Sequence, residues 1–306
     1  MYRARLVLVH GRAQQGKSEK HLIDEWMTPL RETLGARASC LDGVQITAPF
    51  YGDRLIELLS SLGDPAPGDI IVRGGPDAGA AGDPFYEEES YRALMGEWFD
   101  AIREGEGITE ERVTNLFGDG YQERGPANWP WVLAIIKTLN RIPGLDGDMI
   151  ERVLRDVWIY LERRSVRREI DAIVAPAFET EMPVVCLAHS LGTVVAYHII
   201  KERKAGKVSN LITVGSPLGL KICREALAPI KHPQVVERWF NARDKRDVVS
   251  LYPLDSKYFA IDPSVIHFDD VRNRTPNAHG ISGYVTNAET ADEIYRSLAA
   301  LGSGRI

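Results

Sequence analysis

Two short runs of the chain carry residue types at spacings that do chemistry, and they point to different reactions. Gly11-Arg12-Ala13-Gln14-Gln15-Gly16-Lys17-Ser18 fits the phosphate-cradling pattern G-x-x-x-x-G-K-[ST]. In that reading backbone N–H groups wrap a nucleotide's phosphates, Lys17 pairs with the β/γ oxygens and Ser18 holds Mg²⁺. Ala188-His189-Ser190-Leu191-Gly192 is a small-x-Ser-x-Gly run behind the apolar Val184-Val185-Cys186-Leu187. Small residues flank a serine in this way where it sits on a tight, strained strand-to-helix turn that presents its hydroxyl as a nucleophile. By residue frequencies, a chance match to the first pattern is expected in roughly 1% of chains this long, and the second pattern roughly 0.2 times per chain. The residues elsewhere therefore have to decide between them.

A nucleotide hydrolase of the first kind usually has a second apolar strand ending in Asp to hold Mg²⁺. Here Val184–Ala188 runs into His189, and Trp158–Glu162 lies in a helical pattern. A serine nucleophile needs a general base and an acid to orient it, expected downstream in the order Ser, Asp or Glu, His. Asp244 and Asp247 follow the apolar Trp239-Phe240, and His279 lies in Pro276-Asn277-Ala278-His279-Gly280. Asp247 is the assigned acid, with Asp244 competing, and His279 the assigned base. His267 is the second candidate base but lies inside a strand-like pattern. His10 and His189 are read as orienting their loops, and His21, His198 and His232 as surface or packing residues.

The elements that must position these groups alternate. Ala4–Val9 reads as a strand ending at His10-Gly11, and Glu19–Leu34 as a helix with Leu22, Ile23, Trp26, Leu30 and Leu34 on one face. Val44–Phe50 and the Leu55–Leu59 segment repeat the alternation. Further on come a helix over Val166–Val174, a strand over Pro183–Ala188, a helix over Leu191–Lys201 and a strand over Leu211–Val214. They are followed by a helix over Leu220–Leu227, strands over Val235–Phe240 and Val265–Val271, and a last helix over Ala288–Leu301. This pattern predicts an α/β fold with a mostly parallel sheet flanked by helices, and open sheets of this kind place their sites at the carboxyl ends of strands. Residues 63–165 interrupt it. Gly63–Pro84 is Gly-, Pro-, Ala- and Asp-rich and reads as a long loop. Helical patterns follow at Tyr86–Ile102, Trp131–Leu139 and Met149–Glu162. They predict a helical cap inserted into one domain spanning 1–306, because the His-Gly loop precedes the insertion while Ser190, Asp247 and His279 follow it.

Composition removes several classes. The 306 residues are 44% hydrophobic and 26% charged, which is ordinary for a globular protein with a sizeable core. A net charge of −6 gives no overall basic field for nucleic acid and weakly disfavours a peripheral membrane lipase. The interleaved Arg152, Arg155, Arg163, Arg164, Arg167 and Arg168 with Glu151, Asp156, Glu162, Glu169 and Asp171 read as a solvated, salt-bridged helix face. The aromatic set Trp98, Phe99, Trp129 and Trp131 reads equally as insertion core or as the lining of an acyl pocket. The apolar Leu6–Val9 is too short for a signal peptide and no stretch approaches a membrane span, so a cytoplasmic location is expected. Cys40, Cys186 and Cys223 form no CxxC pair, which argues against a disulfide framework and a zinc site.

His10-Gly11, Ala188–Thr193 and Gly215-Ser216-Pro217 together resemble the lipase- and esterase-like members of the α/β-hydrolase fold family. The resemblance continues through Trp239-x-Asn241 with Asp247-Val248 and Val271-x-Asn273 to His279. It does not reach residues 63–150. The strand bearing His-Gly is the first in this sequence, so the family's first two strands have no counterpart. The resemblance implies an α/β-hydrolase fold and a backbone oxyanion hole formed by the N–H groups of Arg12 and Leu191. It also implies hydrolysis of a small-molecule or lipid acyl ester through Ser190, His279 and Asp247, with no metal or organic cofactor. Gly16-Lys17-Ser18 then becomes a loop leading into a helix. Nucleotide hydrolysis and a non-catalytic binding module are the alternatives, and thioester, peptide or lactone cleavage would use the same residues.

Overall fold

The computed structural model describes residues 2–12, 14–62, 88–106 and 147–302. Its frame is strand β1 (Ala4–Val9), whose side chains alternate between two cores. Leu6 and Leu8 enter one cluster, Val7 and Val9 the other. Strands β2 (Val44–Thr47), β3 (Val184–His189), β4 (Val208–Val214), β5 (Trp239–Ala242) and β6 (Ile266–Phe268) complete a sheet of order β2-β1-β3-β4-β5-β6. Every pairing is parallel. Both faces must then be covered, which is why β3 is an unbroken apolar run rather than an alternating one.

The two coats are distinct. On the Leu6/Leu8 side lie helix α1 (Glu19–Leu34), the short α8 (Ile281–Val285) and α9 (Ala288–Gly302), which bury Trp26, Leu30, Tyr284, Ile294 and Leu298 with Val185 and Leu187. On the Val7/Val9 side lie α2 (Gly52–Ser61), α3 (Glu89–Glu106), α4 (Gly147–Glu162), α5 (Arg164–Val174), α6 (Leu191–Glu202) and α7 (Lys221–Ala226). Helices α3 and α4, from the predicted insertion, share their core with Val7 and Val9. Trp129, Trp131 and the predicted Trp131–Leu139 helix lie outside the described residues, as do the Gly63–Pro84 stretch and the side chain of Phe99.

Three expectations shift. The strand expected over Val235–Phe240 is Trp239–Ala242; Val236 joins β4 only by an isolated bridge to Val208, and the ladder runs from Leu211↔Trp239. The strand expected over Val265–Val271 is Ile266–Phe268; just beyond it Asp269 pairs with Arg243 and Asp270 with Lys245. The Arg-rich stretch is not wholly solvated. Helix α4 buries residues around most of its circumference, so Arg155 pairs with Glu151 at 2.6 Å and Asp156 with Arg12 at 2.5 Å, all of them out of water except part of Arg12. Burial of this kind is tolerated only for paired charges.

Candidate active site

The chain leaves β1 for β2 on one side and β3 for β4 on the other, so β1 and β3 flank the point where the strand order reverses. Ligands of open α/β sheets bind in the crevice outside the carboxyl ends of such strands. Gly11 follows β1 there and Ser190 follows β3. A Cβ built on Gly11 would stand 2.7 Å from the Ser190 Cβ, and one on Gly192 would stand 2.2 Å from the Val9 carbonyl oxygen. Both positions admit glycine alone, which is the packing reason for small residues around this serine.

Ser190 adopts φ 55° and ψ −130°, a positive φ that a non-glycine residue keeps only when its surroundings over-determine it. The constraints are visible. Ser190 N–H donates to the Val214 carbonyl at 3.2 Å, while the Ser190 carbonyl accepts from Thr193 N–H at 2.9 Å and from its hydroxyl at 2.7 Å. Thr193 Oγ1 also meets Ser216 Oγ at 2.8 Å, so Gly215-Ser216-Pro217 buttresses the turn. Leu191 opens α6, and the first N–H groups of a helix have no acceptor within it. Among the described residues neither Arg12 N–H nor Leu191 N–H has a backbone acceptor.

The three assigned residues converge. His279 Nε2 lies 2.9 Å from Ser190 Oγ, and His279 Nδ1 lies 3.0 and 2.8 Å from the two oxygens of Asp247. Asp247 also accepts from Val249 N–H at 3.0 Å and from the Tyr284 hydroxyl at 2.5 Å. Burial opposes ionisation of Asp247, but the adjoining His279 and the Tyr284 and Val249 donors outweigh it and hold the carboxyl below its ordinary value. The imidazole loop is fixed by Asn273, which donates to the Gly280 carbonyl at 2.8 Å, and by Asn277, which accepts from His279 N–H at 3.2 Å.

The competing residues have other partners. Asp244 accepts from Arg246 Nε at 3.0 Å, from Arg246 N–H at 2.9 Å and from Asn273 N–H at 2.7 Å, tying the acid-bearing loop to the imidazole-bearing one. His267 lies between Asn241 at 2.9 Å and Asp269 at 2.6 Å. Gly16 N–H donates to Asp53 at 2.7 Å, Lys17 pairs with Glu25 at 2.5 Å, and Ser18 caps α1 by accepting from His21 N–H.

Sequence reasoning missed Tyr284. The signal was the apolar spacing Ile281, Tyr284, Val285 in a short helix, since a tyrosine turned into a core must find a partner for its hydroxyl. His10 and His189 brace the site. Tyr51 N–H donates to His10 Nε2 at 3.1 Å, which leaves the His10 Nδ1 proton for the Gly11 carbonyl at 2.7 Å. His189 Nε2 donates to the His279 carbonyl at 2.7 Å. Burial lowers His10 to about 4, with Lys17 adding to the effect, and burial with the neighbouring His279 lowers His189 to about 3.

Both rings are therefore neutral in the fold but ordinary imidazoles once unfolded, so the unfolded chain binds more protons below pH 6.5. The contribution of these two rings is full above that pH and is expected to fall by up to about 1.4 kcal/mol per pH unit for each ring as pH drops toward 4. Urea melts between pH 7 and 4 check this: the midpoint should fall, and His10→Gln should shallow the fall.

Comparison with protein-family models, with curated proteins and with solved structures yields no match. Among the described residues no helix is long and apolar enough to cross a membrane, and no three His, Cys, Asp or Glu are grouped to hold a metal ion.

Proposed function

We propose that the chain is a serine hydrolase of α/β-hydrolase type that cleaves a carboxylic ester. The observation that carries this reading is the hydrogen-bonded chain Ser190–His279–Asp247, with the serine on a strained turn at the strand-order reversal. Ser190 Oγ attacks the acyl carbon while His279 Nε2 takes its proton. Asp247 keeps the Nδ1 proton in place and stabilises the imidazolium. The N–H groups of Arg12 and Leu191 receive the charge that develops on the carbonyl oxygen. The alcohol leaves with the proton held by His279, and water, deprotonated by the same ring, releases the acid from the acyl-enzyme.

Trp98 of α3, fully buried, donates its indole N–H to the Val248 carbonyl at 2.8 Å, next to Asp247, and so packs as core that supports the acid-bearing loop. The partners of Gly16, Lys17 and Ser18 speak against nucleotide hydrolysis through that loop. A p-nitrophenyl ester series of increasing acyl length, with Ser190→Ala as control, tests the proposal. Turnover that depends on acyl length and vanishes in the variant is expected; no turnover with any ester, or equal turnover in the variant, contradicts it.

A further inference from the structure

Tyr284 has no role in the reaction as drawn, yet its buried hydroxyl touches the acid. It lies 2.5 Å from Asp247 Oδ2 and 3.3 Å from the main-chain nitrogen of Asp244. The direction of this chain follows from what each group offers. Asp244 N–H only donates, so the phenol oxygen accepts from it, and the phenol proton goes to the carboxylate. Asp247 Oδ2 is thus held between Tyr284 O–H and His279 Nδ1–H, while its other oxygen is fixed by Val249 N–H. Burial and the adjoining Asp247 push the phenol well above its ordinary value, so the proton stays on it.

Gly215, at φ 57°, closes the cluster. A Cβ there would stand 3.0 Å from Asp247 Oδ2, 3.1 Å from the Tyr284 ring and 3.2 Å from His279 Cε1. The three side chains converge on a spot that only a residue without a side chain leaves open. The titratable groups facing the hydroxyl are Asp247, His279, the neutral His189 with its ring 6.0 Å from that of Tyr284, and Asp244, which Arg246 pairs.

We propose that Tyr284 is a positioning residue for the acid: its hydroxyl fixes the Asp247 carboxylate against His279 Nδ1 and withdraws part of its charge, setting the basicity of His279. The proposal rests on the reading of Ser190, His279 and Asp247 as a hydrolytic triad. Removing the hydroxyl concentrates charge on Asp247, which favours the imidazolium, and loosens the carboxylate.

The test compares wild type, Tyr284→Phe and Tyr284→3-fluorotyrosine as full-length proteins on one p-nitrophenyl ester across pH. Phe is expected to lower kcat about tenfold at unchanged KM and to raise the acid limb of the kcat/KM profile by about half a pH unit. Fluorotyrosine keeps the ring and hydroxyl but is a stronger donor, so it should move that limb downward. An unmoved limb in the fluorotyrosine protein, or a shift in the same direction in both variants, overturns the proposal. The fluorotyrosine protein decides alone if the Phe variant does not fold. Absence of turnover in wild type is a different failure: it removes the triad reading and this inference with it.

Discussion

Ser190→Ala is expected to reduce kcat for ester hydrolysis by about 10⁶ while leaving KM near its wild-type value. The magnitude follows from what the substitution removes. The serine oxygen is the group His279 Nε2 faces at 2.9 Å, so without it neither an acyl-enzyme nor a proton transfer from the nucleophile is possible. What remains is water attack assisted by the backbone donors and by binding, worth about 10³–10⁴ over water alone. Steady-state and burst kinetics on the same ester check it: the variant should lose the burst along with the turnover. Because alanine fits wherever serine does, apart from the hydroxyl, the fold should survive, and circular dichroism should be unchanged.

The acid gives the second large effect, with an internal control three residues away. Asp247→Asn is expected to lower kcat about 10⁴. An asparagine amide turned toward His279 Nδ1 donates where the carboxylate accepts. The ring is then held in the tautomer that carries its proton on Nε2, facing Ser190, where it cannot take another. Asp244→Asn should keep kcat within about tenfold of wild type and act mainly on stability, because Asp244 holds Arg246 and Asn273 rather than the imidazole. Parallel measurements of kcat and of the urea midpoint separate the two; a larger catalytic loss at Asp244 than at Asp247 would move the acid upstream.

The centre of the sheet was legible because β1, β3 and β4 are buried on both faces and read as near-continuous apolar runs; the partly exposed edge strand β6 carries no such run, and its bounds were legible only roughly. The serine was legible for a related reason: Gly11 and Gly192 are required by contacts under 3 Å, so the geometry leaves its mark on residue identity. Asp247 was only partly legible. It and Asp244 share a loop and a charge, and the choice depends on which faces His279 and which faces Arg246, a difference in side-chain direction that spacing does not encode. Arg155 and Asp156 were misread because alternating charges on a helix usually mark a wet face. Here α4 is enclosed on most sides: its own alternation supplies Glu151 as the partner of Arg155, while Arg12, from the loop after β1, pairs with Asp156. Tyr284 escaped because an aromatic residue in an amphipathic helix reads as packing until its hydroxyl is seen to meet a carboxylate.

The central claim is that Ser190 is an activated nucleophile. The most direct measurement is covalent labelling by a fluorophosphonate probe, with the modified residue located by peptide mass spectrometry, in wild type and Ser190→Ala. The phosphonyl group is expected on Ser190 in wild type at one equivalent per chain and on no residue of the variant. Equal labelling of the two proteins, or a modified residue other than Ser190, would contradict the claim.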